Sequence, residues 1–158
     1  MTYSFNNNFF GRNIKHRKNL FYQGNDNAIA FLENKEKMGP TWYYYDKKII
    51  YNVNAFGHRE KEIDQLNLDN YFICVGCSNT EGIGLEEDKR YSDVLENLLG
   101  MDAYNMGVGG TGNDVIFHNL VTWFSTFNKK PKFIVIQWTD IHRFYVEDRK
   151  GIIHFHTI

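Results

Sequence analysis

The sequence predicts an α/β protein in which a parallel sheet lies between two layers of helix. Three observations carry that prediction. Tyr71-Phe-Ile-Cys-Val75 is an unbroken apolar run closed by Gly76, as expected of a strand buried on both faces. Two stretches with apolar residues at helical spacing follow, each leading into another short strand-like run. The links between them are short, so the order strand–helix–strand–helix–strand implies crossovers within one parallel sheet. The expected fold is therefore a three-layer α/β/α sheet of the flavodoxin-like type.

Residues 1–69 read as an N-terminal arm and β-hairpin extension, and residues 70–158 as the α/β domain. Asn6, Asn7 and Asn8 open a polar stretch with little periodicity. A short helix is predicted over 27–37, stopped by Gly39-Pro40. Residues 42–45 and 49–53 are aromatic or β-branched runs around Asp46-Lys47-Lys48, which predicts a hairpin. Past the first core strand, Tyr91, Val94, Leu95, Leu98 and Leu99 form an apolar stripe on a helix over 88–99. Gly100 is its natural C-terminal cap. Residues 103–106 form the second strand. Asn113 or Asp114 is expected to cap a helix that puts Ile116, Leu120, Trp123, Phe124 and Phe127 on one face. Pro131 ends that connection, and residues 133–138 are expected as a third buried strand.

The chain of 158 residues suits one domain, and 42% hydrophobic with 23% charged residues is enough for a core. A formal charge of -1 with scattered Lys and Arg excludes the basic footprint of a nucleic-acid binder. The run at 15–18 reads as a solvated face. No apolar run approaches the ~18 residues of a bilayer span, and no signal-peptide stretch opens the chain, so a soluble cytoplasmic or virion protein is expected. Cys74 and Cys77 make no disulfide framework. Two prolines and an abundance of Asn, Lys, Ile, Tyr and Phe fit an AT-rich genome such as a phage's.

Ligands of open parallel sheets sit at the carboxyl ends of the strands. That singles out three loops, at 76–84, 107–113 and 139–143. The first places Ser78 directly after a strand, where its hydroxyl can face a cleft and its N–H can meet an oxyanion. A polar, glycine-rich surface loop is the plainer reading of that spacing. The second, Gly107-Val-Gly-Gly-Thr-Gly112, is a literal G-x-G-x-x-G and raises a dinucleotide-binding module. Against it, no acidic residue closes the next strand at the required distance. Cys74 and Cys77 form a C-x-x-C, but Cys74 lies inside the strand and reads as a core thiol. A zinc site combining them with His154 and His156 matches no standard spacing. His58 and Arg59 suit an anionic substrate or a solvated turn, and the 42–45 aromatics suit sugar stacking or packing.

The segment Gly76-Cys77-Ser78-Asn79-Thr80 resembles block I of the SGNH (GDSL-like) hydrolase family, with Cys77 in the place of the usual aspartate. Asn105-Met-Gly-Val-Gly-Gly-Thr-Gly112 is similar to block II, with Gly110 the best match for the oxyanion-binding glycine and Gly109 the next. Asn54-Ala-Phe-Gly-His-Arg59 resembles a leader that often precedes the domain. The likeness covers about residues 50–143. It implies serine-mediated hydrolysis of an ester, with an acyl or acetyl group on a glycan as one such substrate. Ser78 would attack, and the amides of Ser78 and Gly110 would hold the oxyanion, with Asn113 as a third donor.

The departures are equally specific. Block III should supply Gly-x-Asn-Asp, yet Gln137-Trp-Thr-Asp140 stands there, so Thr139, Asp140 or Asn113 must substitute. Block V, Asp-x-x-His, is missing, and the chain reads as truncated and as incomplete or inactive in its present extent. His142, His154 and His156 are the candidate bases. No cofactor or metal is implied. The expected partners are a small-molecule or glycan ester, with neither nucleic acid nor membrane, and a homo-oligomer or larger assembly. The competing class is a non-catalytic structural or carbohydrate-binding protein, such as one from a virion, that reuses the scaffold.

Overall fold

The apolar run becomes the central strand of the sheet. The computed structural model describes residues 3–6, 8–12, 20–22, 28–47, 49–147 and 153–157. Ahead of the sheet come β1 (Tyr3–Asn6), β2 (Phe9–Arg12), β3 (Leu20–Tyr22), α1 (Ala28–Met38) and β4 (Ile49–Tyr51). Then follow β5 (Tyr71–Val75), the single helical turn α2 (Ser78–Glu81), α3 (Tyr91–Leu99), β6 (Asp102–Asn105), α4 (Asn113–Thr126) and β7 (Ile134–Ile136). Strands β8 (Arg143–Glu147) and β9 (Ile153–Thr157) close the chain as an antiparallel pair. Strands β5, β6 and β7 form one parallel sheet in the order β6-β5-β7.

Alternation along β5 explains the layers. Tyr71, Ile73 and Val75 pack with Tyr104 and Met106 against Ile116, Leu120 and Trp123 of α4. Phe72 and Cys74, on the opposite face, pack with Ala103 against Tyr91 and Leu95 of α3. All five β5 side chains are 0% exposed. The sheet is thus covered on both faces, as the unbroken run requires. The residues before 70 share this core. Phe9 lies 4.9 Å from Phe56 and 6.3 Å from Trp123, ring centre to ring centre. Among the described residues, no helix is long and apolar enough to cross a membrane.

Several expectations are corrected. The 42–45/49–53 hairpin does not form. Residues 39–41 make a 3-10 turn, and the aromatics pack on one another and on α1, with Trp42 5.2 Å from Phe31 and 5.5 Å from Tyr44. Strand β4 pairs instead with β3, a distant partner that no turn signal could announce. The third strand is an edge rather than a buried strand: Phe133 and Ile136 stay over a third exposed because nothing described lies beyond β7. The α3 stripe is only half used. Tyr91 and Leu95 pack, while Val94, Leu98 and Leu99 remain exposed because a three-stranded sheet is too narrow to cover them. Neither Asn113 nor Asp114 caps α4, whose N-cap is Gly112 with no side-chain bond. The run at 15–18 lies outside the described residues, as does Asn27.

Trp123 anchors the larger core. It is fully buried between Tyr104 (4.6 Å), Phe127 (4.5 Å) and Tyr71 (5.9 Å), and its indole N–H donates to the Tyr71 hydroxyl at 3.2 Å. Replacing so large a buried ring leaves a cavity and removes the indole donor to the Tyr71 hydroxyl. Trp123→Ala should lower unfolding free energy by about 3–5 kcal/mol in urea denaturation. Phe124→Ala, next to it on the open flank, should cost under about 1 kcal/mol; comparable losses would contradict this packing.

Candidate active site

The three loops singled out by the sequence meet. Gly107 lies so close to the Thr80–Glu81 backbone that a Cβ would overlap it, and the Val108 N–H donates to the Gly76 carbonyl at 3.1 Å. Asn105, buried at the end of β6, donates to the Thr80 carbonyl at 2.6 Å and accepts the Gly107 N–H at 2.8 Å. First and second loops are locked by these contacts. The third joins the first where the Thr139 side chain hydrogen-bonds the Cys77 thiol; just ahead of it, the Thr80 hydroxyl donates to the Gln137 side-chain oxygen at 2.8 Å. It joins the second through Asn113, which donates to the Thr139 carbonyl (3.1 Å) and accepts the Thr139 N–H (2.8 Å).

Under the loops lies a buried charge network. Glu81, 1% exposed, takes a hydrogen bond from Arg12 Nε through Oε1 and from the Gly109 N–H through Oε2 at 2.6 Å. Arg59 donates to the carbonyls of Gly82 (2.6 Å) and Leu85 (2.8 Å) and stacks on Tyr51 at 3.8 Å. Burial pulls its pKa down to about 10, so it stays charged at neutral pH. Arg90 donates to the Arg59 carbonyl and to Asp93, and fills the space beside Gly82. Gly82 itself has φ 72°, which lets the chain leave α2 in a left-handed turn. His58 and Arg59 are thus interior residues, 0% and 1% exposed, and neither reading of them as substrate contacts or solvated turn holds. His58 stands between the Tyr104 hydroxyl (3.3 Å) and the Asn119 side-chain nitrogen (3.4 Å).

Ser78 is half-buried at the first turn of α2, and its Oγ lies 3.8 Å from Cys77 Sγ. Burial alone would raise the Cys77 thiol. Hydrogen bonds from the Thr139 and Ser78 side chains and the Asn79 and Ser78 amides outweigh it and bring the thiol below its ordinary value. Cys74, in contrast, is a core thiol pushed up to about 12 by burial, as its place inside the strand implied. Both cysteines are free. Gly110 is exposed with φ 82°, while the Gly109 N–H is already committed to Glu81. Asn113 spends its side-chain oxygen and an N–H on Thr139, which makes it a clamp between loops. No family model matches this chain, and neither does any curated protein or solved structure.

His142 is in the third loop, about half exposed, and pairs with Asp140: Nδ1 lies 2.8 Å from Oδ1, which also accepts the His142 N–H at 3.0 Å. The two hydrogen bonds from His142 hold the Asp140 carboxyl below its usual value. No described contact joins His142 to Ser78. His154 and His156 stand on β9, backbone to backbone with Val146 and Phe144; their side chains lie outside the described residues. A cavity of about 380 Å³ is lined by Asn52, Asn54, Glu60, Lys61 and Glu87 among others, and by no residue of the three loops. Sequence reading missed Glu81, Arg12, Arg90 and Gln137 as supports of the site. Only Glu81 carried a signal, an acid within a glycine-rich loop.

Two expected outcomes follow from the charges. Glu81→Ala removes the buried carboxylate that meets both Arg12 Nε and the Gly109 N–H, and should cost about 3–5 kcal/mol in chemical denaturation, far more than loss of a surface acid. The second concerns pH. Burial raises Glu60 to about 7 against the pull of Arg90, so its stabilising share is full at acid pH and is lost as pH rises from about 4.5 through 7. Burial lowers His58 to about 4, so its share is full above about 6.5 and is lost as pH falls toward 4. The opposed slopes should leave stability nearly flat between about pH 4.5 and 6.5. Glu60→Gln should expose the His58 limb alone, with denaturation midpoints climbing with pH; an equally flat variant would refute the assignment.

Proposed function

We propose that this chain is an SGNH-like serine hydrolase domain acting on an ester, with an acyl or acetyl group on a glycan as the substrate class. The observation that carries the reading is the meeting of three strand-end loops around a half-buried Ser78. The order β6-β5-β7, with the first strand central, supports a flavodoxin-like sheet, in which ligands bind where successive crossovers diverge. Ser78 Oγ would attack the ester carbonyl, and His142 would take its proton. Asp140 suits His142 to that role, since a bond to Nδ1–H leaves the Nε2 lone pair available. The Gly110 N–H meets no acceptor among the described residues and would hold the oxyanion with the Ser78 N–H. The alcohol leaves with the proton from His142, and water then releases the acid from the acyl-serine.

The lowered Cys77 thiol favours a second reading, in which sulfur rather than oxygen is the nucleophile. A fluorophosphonate probe separates the two. Labelling of the intact protein should vanish in Ser78→Ala and survive in Cys77→Ala. Ester turnover should fall by about 10²–10⁴ in His142→Ala. Labelling that survives Ser78→Ala moves the nucleophile to Cys77. A protein that never labels and never turns over an ester leaves the scaffold with a structural or carbohydrate-binding role.

A further inference from the structure

The cavity of about 380 Å³ lies at the β6 edge, on the side of the sheet opposite β7. Two wall residues fix that place: Glu60 accepts the Asn105 N–H at 3.2 Å, and Lys61 Nζ reaches Asp102 at 3.5 Å. Its volume is at the small end of small-molecule sites. Its charges do not balance. Arg90, behind the wall, serves three carboxylates at once: Asp93 at 2.7 Å, Glu60 at 3.6 Å and Glu87 at 3.9 Å. Lys61 serves Glu96 at 3.1 Å as well as Asp102. Arg59, next inward, gives its guanidinium to the carbonyls of Gly82, Ile50 and Leu85. Two cations therefore answer five carboxylates around this cavity, and two of the five line it. Glu60 is deep, at 8% exposed, and Glu87 stands at the open rim.

The rest of the wall narrows the ligand. Asn52 and Gln65 add amide groups to the two carboxylates, and buried Val53 adds carbon. Among the described residues no aromatic ring lines the cavity, so it lacks the cage that holds quaternary ammonium groups. Nor, among them, do three His, Cys, Asp or Glu side chains converge as metal ligands. Oxygen acceptors with surplus negative charge suit a cation that carries N–H donors. We propose that the cavity binds a small aliphatic amine in its ammonium form, seated between Glu60 and Glu87 with its carbon frame along Val53. The state of Glu60 fits this occupant. Burial raises its carboxyl to about 7 although Arg90 and Lys61 pull it down, with Asp93 opposing them. The Tyr104 hydroxyl and Cys74 thiol, which also feel Glu60, are pushed up by burial and stay neutral. An arriving ammonium favours the ionised carboxylate. Binding at neutral pH therefore expels part of a proton, and affinity climbs as pH rises through 7.

Isothermal titration of the intact 158-residue protein with 1,4-diaminobutane tests this. One site per chain is expected, about tenfold tighter at pH 8 than at pH 6 for a carboxyl that titrates near 7. Neither 1,4-butanediol, the same frame without charge, nor magnesium chloride should bind in that concentration range. Glu87→Gln, at the exposed rim, should weaken binding about fivefold. Glu60→Gln should weaken it further and remove the pH dependence. Asp64→Asn, an exposed acid of the same segment that does not line the cavity, should change nothing. If Glu60→Gln fails to fold, Glu87→Gln and the pH profile of the unaltered protein still decide. Absence of binding at millimolar amine overturns the proposal. So does a diol or magnesium ion that matches the amine, an affinity indifferent to pH, or equal losses in Glu87→Gln and Asp64→Asn. Ester turnover enters none of these readouts, so the outcome is independent of the nucleophile's fate.

Discussion

One buried carboxylate organises this molecule. Glu81 receives Arg12 from the N-terminal strand β2 and the Gly109 N–H from the second loop, and its own N–H donates to the Cys77 carbonyl, closing the turn that begins at Ser78. In the interior an ion pair adds little net stability, because desolvating both charges offsets most of their attraction. What it supplies is position, since the pair forms only when both segments take this one arrangement. Three chain segments far apart in sequence are thereby held to one geometry.

The glycines make the same point from the steric side. Gly107 and Gly109 allow the second loop to press on the first, and Gly112 allows the third to pass beside the start of α4. With the loops in contact, polar groups that would otherwise seek water find one another: Thr80 with Gln137, Asn105 with Thr80, Asn113 with Thr139. The junction is therefore stiff around Ser78, while His142 and Asp140 stand at its exposed rim. Ser78 thus sits on a turn held by its neighbours, with the His142–Asp140 pair at the solvent edge of the same group of loops.

Legibility followed range. The β5 run, the α4 face apart from Phe124, which stays 39% exposed, and the glycine loops were readable because each depends on residues within one or two turns of chain. The aromatic segment at 42–45 misled because tyrosine and tryptophan favour strands only when a neighbour offers a pleated surface. Here α1 offered a ring, Phe31, and the segment curled onto it. The third strand looked buried because Phe133, Ile134, Val135 and Ile136 are apolar, yet apolar content cannot tell a central strand from an edge.

Alone, the sequence determined the α/β class, the order of the core elements and the three loops that carry polar chemistry, because periodicity and glycine placement act locally. Only the tertiary structure decided that His58, Arg59 and Arg90 are interior, that Arg12 pairs with Glu81, and that β7 pairs on one side only among the described residues. Those outcomes rest on partners tens of residues away, and burial of a charge is settled only when its counter-charge arrives.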